Sequence, residues 1–215
     1  MLHLVCLNVN KTQEDLLDGV LEPLPHRLTF HMGFEVPLAS PRPRTASTSA
    51  TLRSFLKDRV PNWQGYEPIV LLARTSGVKT VQRWLTQEDD RELVTALVLV
   101  DPRSSDLDLT SFGDGRCGII EYAKDCLADP SEKLLLSVAR RPRNDDTRAG
   151  SIATLLQATL ASSEGWLQPD RSIFAVDLDN ASEADLWHRT VELLRRRLVP
   201  FLSELGPVSA PEPLL

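Results

Sequence analysis

Two adjacent hydroxyl side chains, Thr75 and Ser76, sit in the stretch LLARTSGVKTVQRWL (71–85), where an apolar run gives way to a helical spacing of apolar residues. A hydroxyl on a sharp strand-to-helix bend can serve as an acyl-transfer nucleophile, provided that its flanks are small and a base accepts its proton. With Thr75 at the apex, the flanks Ala73 and Gly77 satisfy the small-x-nucleophile-x-small rule. With Ser76 at the apex the flanks become Arg74 and Val78, and Arg74 is too bulky. A phosphate cradle fits the same residues poorly. It needs glycine at its start and directly before Lys-Ser/Thr, whereas Ala73 stands first and Val78 precedes Lys79-Thr80.

A hydroxyl nucleophile needs an acid and an imidazole in support. Two adjacent carboxylates, Asp145 and Asp146, lie in RRPRNDDTRAG, and Asp101 follows the preceding apolar run. Arg140, Arg141, Arg143 and Arg148 surround the pair, so a solvated, ion-paired loop accounts for it equally well. His188 is the candidate base, and it lies within a helical spacing whose apolar stripe is set by Leu186, Trp187 and Leu194. A histidine on the surface of that helix is its plain alternative. His3, His26 and His31 lack the i, i+4 spacing of a metal face, and Cys6, Cys117 and Cys126 form no Cys-x-x-Cys pair. No metal is expected. The first apolar run leads into CLNVNKTQ and not into Gly-x-Gly-x-x-Gly, so no dinucleotide cofactor is expected either.

These residues must be positioned by a framework of alternating elements. Apolar runs at 2–9, 67–73, 93–101, 132–139 and 172–178 have the continuous aliphatic character of strands buried on both faces and are expected to lie mutually parallel, and 26–36 contains a further strand candidate. Segments beginning at Thr12, and at 51–60, 78–87, 119–129, 150–166 and 182–205, carry helical spacing. The alternation predicts an α/β fold with a mainly parallel sheet and helices on both faces. Residues 37–50, rich in Pro, Ser and Thr, form a loop or flap, and 206–215 a flexible tail to a single domain spanning 1–205.

In order and spacing the chain resembles the α/β-hydrolase superfamily: a first strand with a polar exit loop, a helix, then strand, elbow and helix, followed by three more strand-helix units. The resemblance implies a three-layer sandwich, with the nucleophile on Thr75, Ser76 one residue later, and the acid on Asp145 or Asp146. It also puts the histidine in the loop after the last strand, DLDNASEAD, which holds Asp177, Asp179 and Asn180 but no histidine, and leaves His188 as the base. NVNKTQ takes the place of the oxyanion loop and has no glycine.

The chain has 215 residues, 42% hydrophobic and 25% charged, with a net charge of −6, which fits one globular domain and offers no overall attraction for nucleic acid or an anionic membrane. Arg195, Arg196 and Arg197 interrupt that acidity as a solvent-facing step on the last helix. No apolar stretch approaches the roughly 18 residues of a membrane span. The cysteines favour a reducing, cytoplasmic setting. The expectation is a hydrolase-like scaffold, a pseudoenzyme that binds a protein partner or itself; the alternative is an active hydrolase of a small-molecule ester or amide, with 37–50 as its lid.

Overall fold

A computed structural model describes residues 2–21, 28–33, 51–59, 63, 65, 67–102, 118–128, 135–140, 173–178 and 180–200. Six strands form one sheet: β1 (Leu2–Leu7), β2 (Leu28–Gly33), β3 (Ile69–Arg74), β4 (Val94–Val100), β5 (Leu135–Arg140) and β6 (Ile173–Asp177). Their order is β2-β1-β3-β4-β5-β6, and every neighbouring pair is parallel. The helices are α1 (Lys11–Leu21), α2 (Leu52–Arg59), α3 (Ser76–Leu85), the single turn α4 (Glu88–Arg91), α5 (Gly118–Ala128) and α6 (Glu183–Leu193). A π-helical turn, Leu194–Leu198, continues α6.

The continuous apolar runs are explained by burial on both faces. Val5, Leu7, Leu71, Ala73, Leu97 and Leu99 point into one core with Phe55, Val81, Trp84, Ile119 and Tyr122 from α2, α3 and α5. Leu4, Cys6, Val70, Leu72, Val98 and Val100 point into the other, with Leu17 and Val20 of α1 and Leu186, Trp187 and Leu193 of α6. Strand side chains alternate with period two, so a strand serving both cores has no polar position to spare. Between Ile69 and Val70 the pairing register with β4 shifts by one residue. That irregularity lets Val94, of even number, join the odd-numbered side.

The first and fourth expected runs, 2–9 and 93–101, reached too far at their C-terminal ends, and the reason is conformational. The first run stops at Leu7 because Asn8 has φ 59°, and the fourth stops at Val100 because Asp101 has φ 53°. Left-handed backbone takes the chain out of the ladder although apolar residues continue. The 26–36 run contracts to Leu28–Gly33, 67–73 becomes Ile69–Arg74, 132–139 begins at Leu135, and 172–178 becomes Ile173–Asp177. The last helix starts after Ser182, whose hydroxyl accepts from the Asp185 N–H. The flap 37–50, the helix at 150–166, Asp145 with Asp146, and the tail 206–215 lie outside the described residues.

Asp90 in α4 has a structural task that sequence spacing does not reveal. Its carboxylate accepts from the backbone N–H groups of Leu52 at 2.7 Å and Arg53 at 3.1 Å, closing the N-terminus of α2 from a site 38 residues away in sequence. Among the described residues no helix is long and apolar enough to cross a membrane.

Candidate functional site

Backbone strain is concentrated at one edge of the sheet. Four described non-glycine residues have left-handed φ: Asn8 directly after β1, Thr75 directly after β3, Asp101 directly after β4, and Asn180 three residues after β6. All follow the C-terminal ends of parallel strands. Such conformations cost on the order of 1–3 kcal/mol each and persist where the surroundings over-determine them. The sheet order adds a reason to look here. The chain leaves β1 towards β2 on one side and returns to place β3 on the other, so β1 and β3 flank the topological switch point, where open parallel sheets form a crevice.

Thr75 stands at that point. Its φ of 44° and ψ of −113° turn β3 directly into α3. Its N–H donates to the Val100 carbonyl at 3.4 Å, and its own carbonyl accepts from the Val78 N–H at 3.0 Å. Gly77, two residues on, allows the close approach: a Cβ there would lie 2.8 Å from both the Cβ and the carbonyl oxygen of Leu7. The small flank at Gly77 is therefore a steric requirement of α3 against the end of β1. Ser76 opens α3 as its first residue.

Across the switch point the Asn8 amide Nδ2 donates to Thr75 Oγ1 and, at 3.2 Å, to the carbonyl oxygen of Arg74. An amide N–H can orient a hydroxyl but cannot accept its proton. His188 is exposed on α6, where its charge acts on neighbours of its own helix. Asp185 is held below the ordinary carboxylate range first by the Ser182 hydroxyl and also by His188. Glu192 is held low chiefly by Arg189, with a smaller contribution from His188. His3 is at the other end of the sheet, near the start of β1, with Nε2 3.0 Å from a carboxylate oxygen of Glu67. Among the described residues no histidine hydrogen-bonds to Thr75. Asp101 is buried at the end of β4, next to β3.

Nothing known matches. Neither a family model, nor a curated protein, nor a solved structure is similar to this chain, so the chemistry of the site rests on its own residues.

A second cluster borders the elbow on the α1 and α6 side. Arg74, immediately before Thr75, pairs through Nη2 with the Glu183 carboxylate at the start of α6. The same carboxylate oxygen accepts from the Trp187 indole at 3.1 Å and lies 3.5 Å from Gln13 Nε2. Gln13, itself buried, also closes α1: its backbone N–H donates to Asn10 Oδ1 at 3.0 Å and its Oε1 accepts from the Asn10 N–H at 3.1 Å. This is the reciprocal arrangement of a capping box. Asn8, Gln13 and Glu183 were not singled out in the sequence. The only signal for Asn8 was its residue type, since Asn tolerates left-handed φ where an aliphatic residue would not. No group of three or more His, Cys, Asp or Glu among the described residues could hold a metal. Cys6 is buried in the core that α1 and α6 cover.

Proposed function

We propose that this protein is an α/β-hydrolase-like scaffold that binds at the C-terminal edge of its sheet and does not hydrolyse. The observation that carries this reading is the Thr75 hydroxyl: it stands on a strained turn at the switch point, yet among the described residues its partner is the Asn8 amide and not an imidazole. A hydroxyl whose pKa is far above neutral needs a base within reach, and general-base assistance contributes about 10²–10⁴ in rate. Threonine adds hindrance through the methyl group on the carbon that bears the attacking oxygen. The turn, by contrast, is well supported by Gly77 and by the bonds of Thr75 to both flanking elements. A turn kept in shape without its proton acceptor suits recognition of a small molecule or of a protein partner better than acyl transfer.

The alternative is an active ester or amide hydrolase using Thr75 or Ser76 with Asp145 or Asp146 and His188. The strain at Thr75 favours it, because strained turns of this kind are where hydrolase nucleophiles are presented. Hydrolysis of short activated esters, followed near about pH 7.5 where an imidazole is mostly neutral, separates the two. The parent protein and its Thr75→Ala, Ser76→Ala double variant are expected to give the same rate. Saturable turnover by the parent at least about tenfold above the double variant, well within what a working base supplies, would overturn the scaffold reading. A matching loss in His188→Ala would then identify the base.

A further inference from the structure

The carboxylate of Glu183 is received by donors from three different elements: Arg74 at the end of β3, Trp187 one turn further along α6, and the buried amide of Gln13 on α1. Its head group is not locked away, for the side chain is 45% exposed, while that of Arg74 is 20% exposed. The receiving side is the better buried and the more constrained. Gln13 is fixed by its reciprocal bonds with Asn10, and Trp187 is 4% exposed in the core between α6 and the sheet. Arg74 also has donor capacity left over, since its Nε is buried and has no hydrogen-bond partner among the described residues. A guanidinium is a planar fork that suits two carboxylate oxygens at once. Glu183 engages it through Nη2.

We propose that Arg74, Gln13 and Trp187 form a binding site for the carboxylate of a small-molecule ligand, and that Glu183 occupies this site from within the chain until the ligand displaces it. The position is the C-terminal end of β3 beside the switch point, where Arg74 directly precedes Thr75 and its carbonyl shares the Asn8 amide with the Thr75 hydroxyl. This rests on reading the C-terminal edge as a binding site and specifies the ligand class that such a site takes. The internal carboxylate is a competitor at high effective concentration, so it lowers the apparent affinity for a free carboxylate by the fraction of time it occupies the site. Removing it therefore strengthens binding, but the parent must itself bind the ligand by displacing Glu183, which a chain whose ion pair is purely structural does not do.

Acetate serves as the probe, titrated against sodium chloride at matched ionic strength. The readout is the amide spectrum, with the Trp187 indole N–H as a direct reporter. The parent should bind acetate weakly. Glu183→Ala should bind it at least about fivefold more tightly, with saturable shifts at Trp187 and Arg74, and Glu183→Ala combined with Arg74→Met should lose that binding. If Glu183→Ala does not fold by circular dichroism, Glu183→Gln keeps the shape, weakens the attraction to Arg74, and should show a gain of the same sign. The proposal is overturned if the parent shows no saturable acetate shift at Trp187 or Arg74, if neither variant gains affinity over the parent, if Arg74→Met leaves the gain intact, or if chloride produces the same shifts. Ester turnover is independent of this result: an enzyme that hydrolyses through Thr75 would refute the scaffold reading while the carboxylate site stood.

Discussion

Thr75 is held in a backbone conformation that an L-residue with a Cβ adopts at a cost, and the cost can be isolated by comparing two substitutions. Thr75→Ala and Thr75→Gly both lose the bond from the Asn8 amide, but only glycine relaxes φ 44°. The left-handed penalty for a residue with a Cβ is roughly 1–2 kcal/mol, offset in part by the greater chain entropy of unfolded glycine. Thr75→Gly should therefore be more stable than Thr75→Ala by about 1 kcal/mol in urea unfolding. Equal stability would mean that the turn stores no strain. Gly77 gives the opposite outcome. Alanine there meets the Leu7 carbonyl oxygen at 2.8 Å, and because a strand backbone cannot yield as a side-chain tip can, Gly77→Ala should cost about 1–3 kcal/mol or more. An unchanged unfolding midpoint would contradict this packing.

At the scale of elements, the tether between α4 and α2 has a defined pH signature. Burial raises the Asp90 carboxyl above the ordinary 3.8, outweighing the two backbone N–H groups of Leu52 and Arg53 and the nearby Arg53 charge, which pull it down, while Asp89 adds to the rise. The folded protein thus holds the Asp90 proton more tightly than the unfolded chain does. Its contribution to stability is gained as pH falls through the raised value and lost as pH climbs past it. Between pH 3.8 and neutrality, Asp90→Asn should remove this downward slope, measured as the parent-minus-variant difference in unfolding free energy. A difference that does not vary with pH would show that burial does not dominate. Asp90→Ala, which also leaves the Leu52 and Arg53 amides without their acceptor, should cost about 1–3 kcal/mol, with the larger cost at the acid end of this window.

For the molecule as a whole, the sheet order ranks the strands by protection. β1, β3 and β4 occupy central positions, and their side chains enter both cores, whereas β2 and β6 are the outer strands. Native-state hydrogen exchange should therefore find the slowest amides in β1, β3 and β4, opening only with global unfolding, and faster exchange in β2 and β6. Slower exchange in β2 or β6 than in β3 would contradict the order. Every strand pair is parallel and needs a crossover, so the contacts are far apart in sequence and folding should be slow for the chain's size. The same order brings Asn8 and Thr75, 67 residues apart in sequence, into one hydrogen bond.

What the sequence determined by itself was whatever burial imposes locally. An apolar run such as IVLLA at 69–73 must be covered on both faces, and helical spacing after it must lie against a sheet, so the α/β class and the parallel strands were legible from composition and period. The tight turn after β3 was legible for a related reason: only small residues fit where a helix starts against a neighbouring strand, and Gly77 against Leu7 is that contact. The tertiary structure decided what no local pattern encodes. Polar side chains at strand ends carry no periodic signature, so the meeting of Asn8 with Thr75, and of Glu183 with Arg74, Gln13 and Trp187, depends on which strands become neighbours and which helices cover each face. His188 illustrates the same limit. Its residue type suited a base, but the face of α6 that the core selected was that of Leu186, Trp187 and Thr190, and the imidazole was left in solvent.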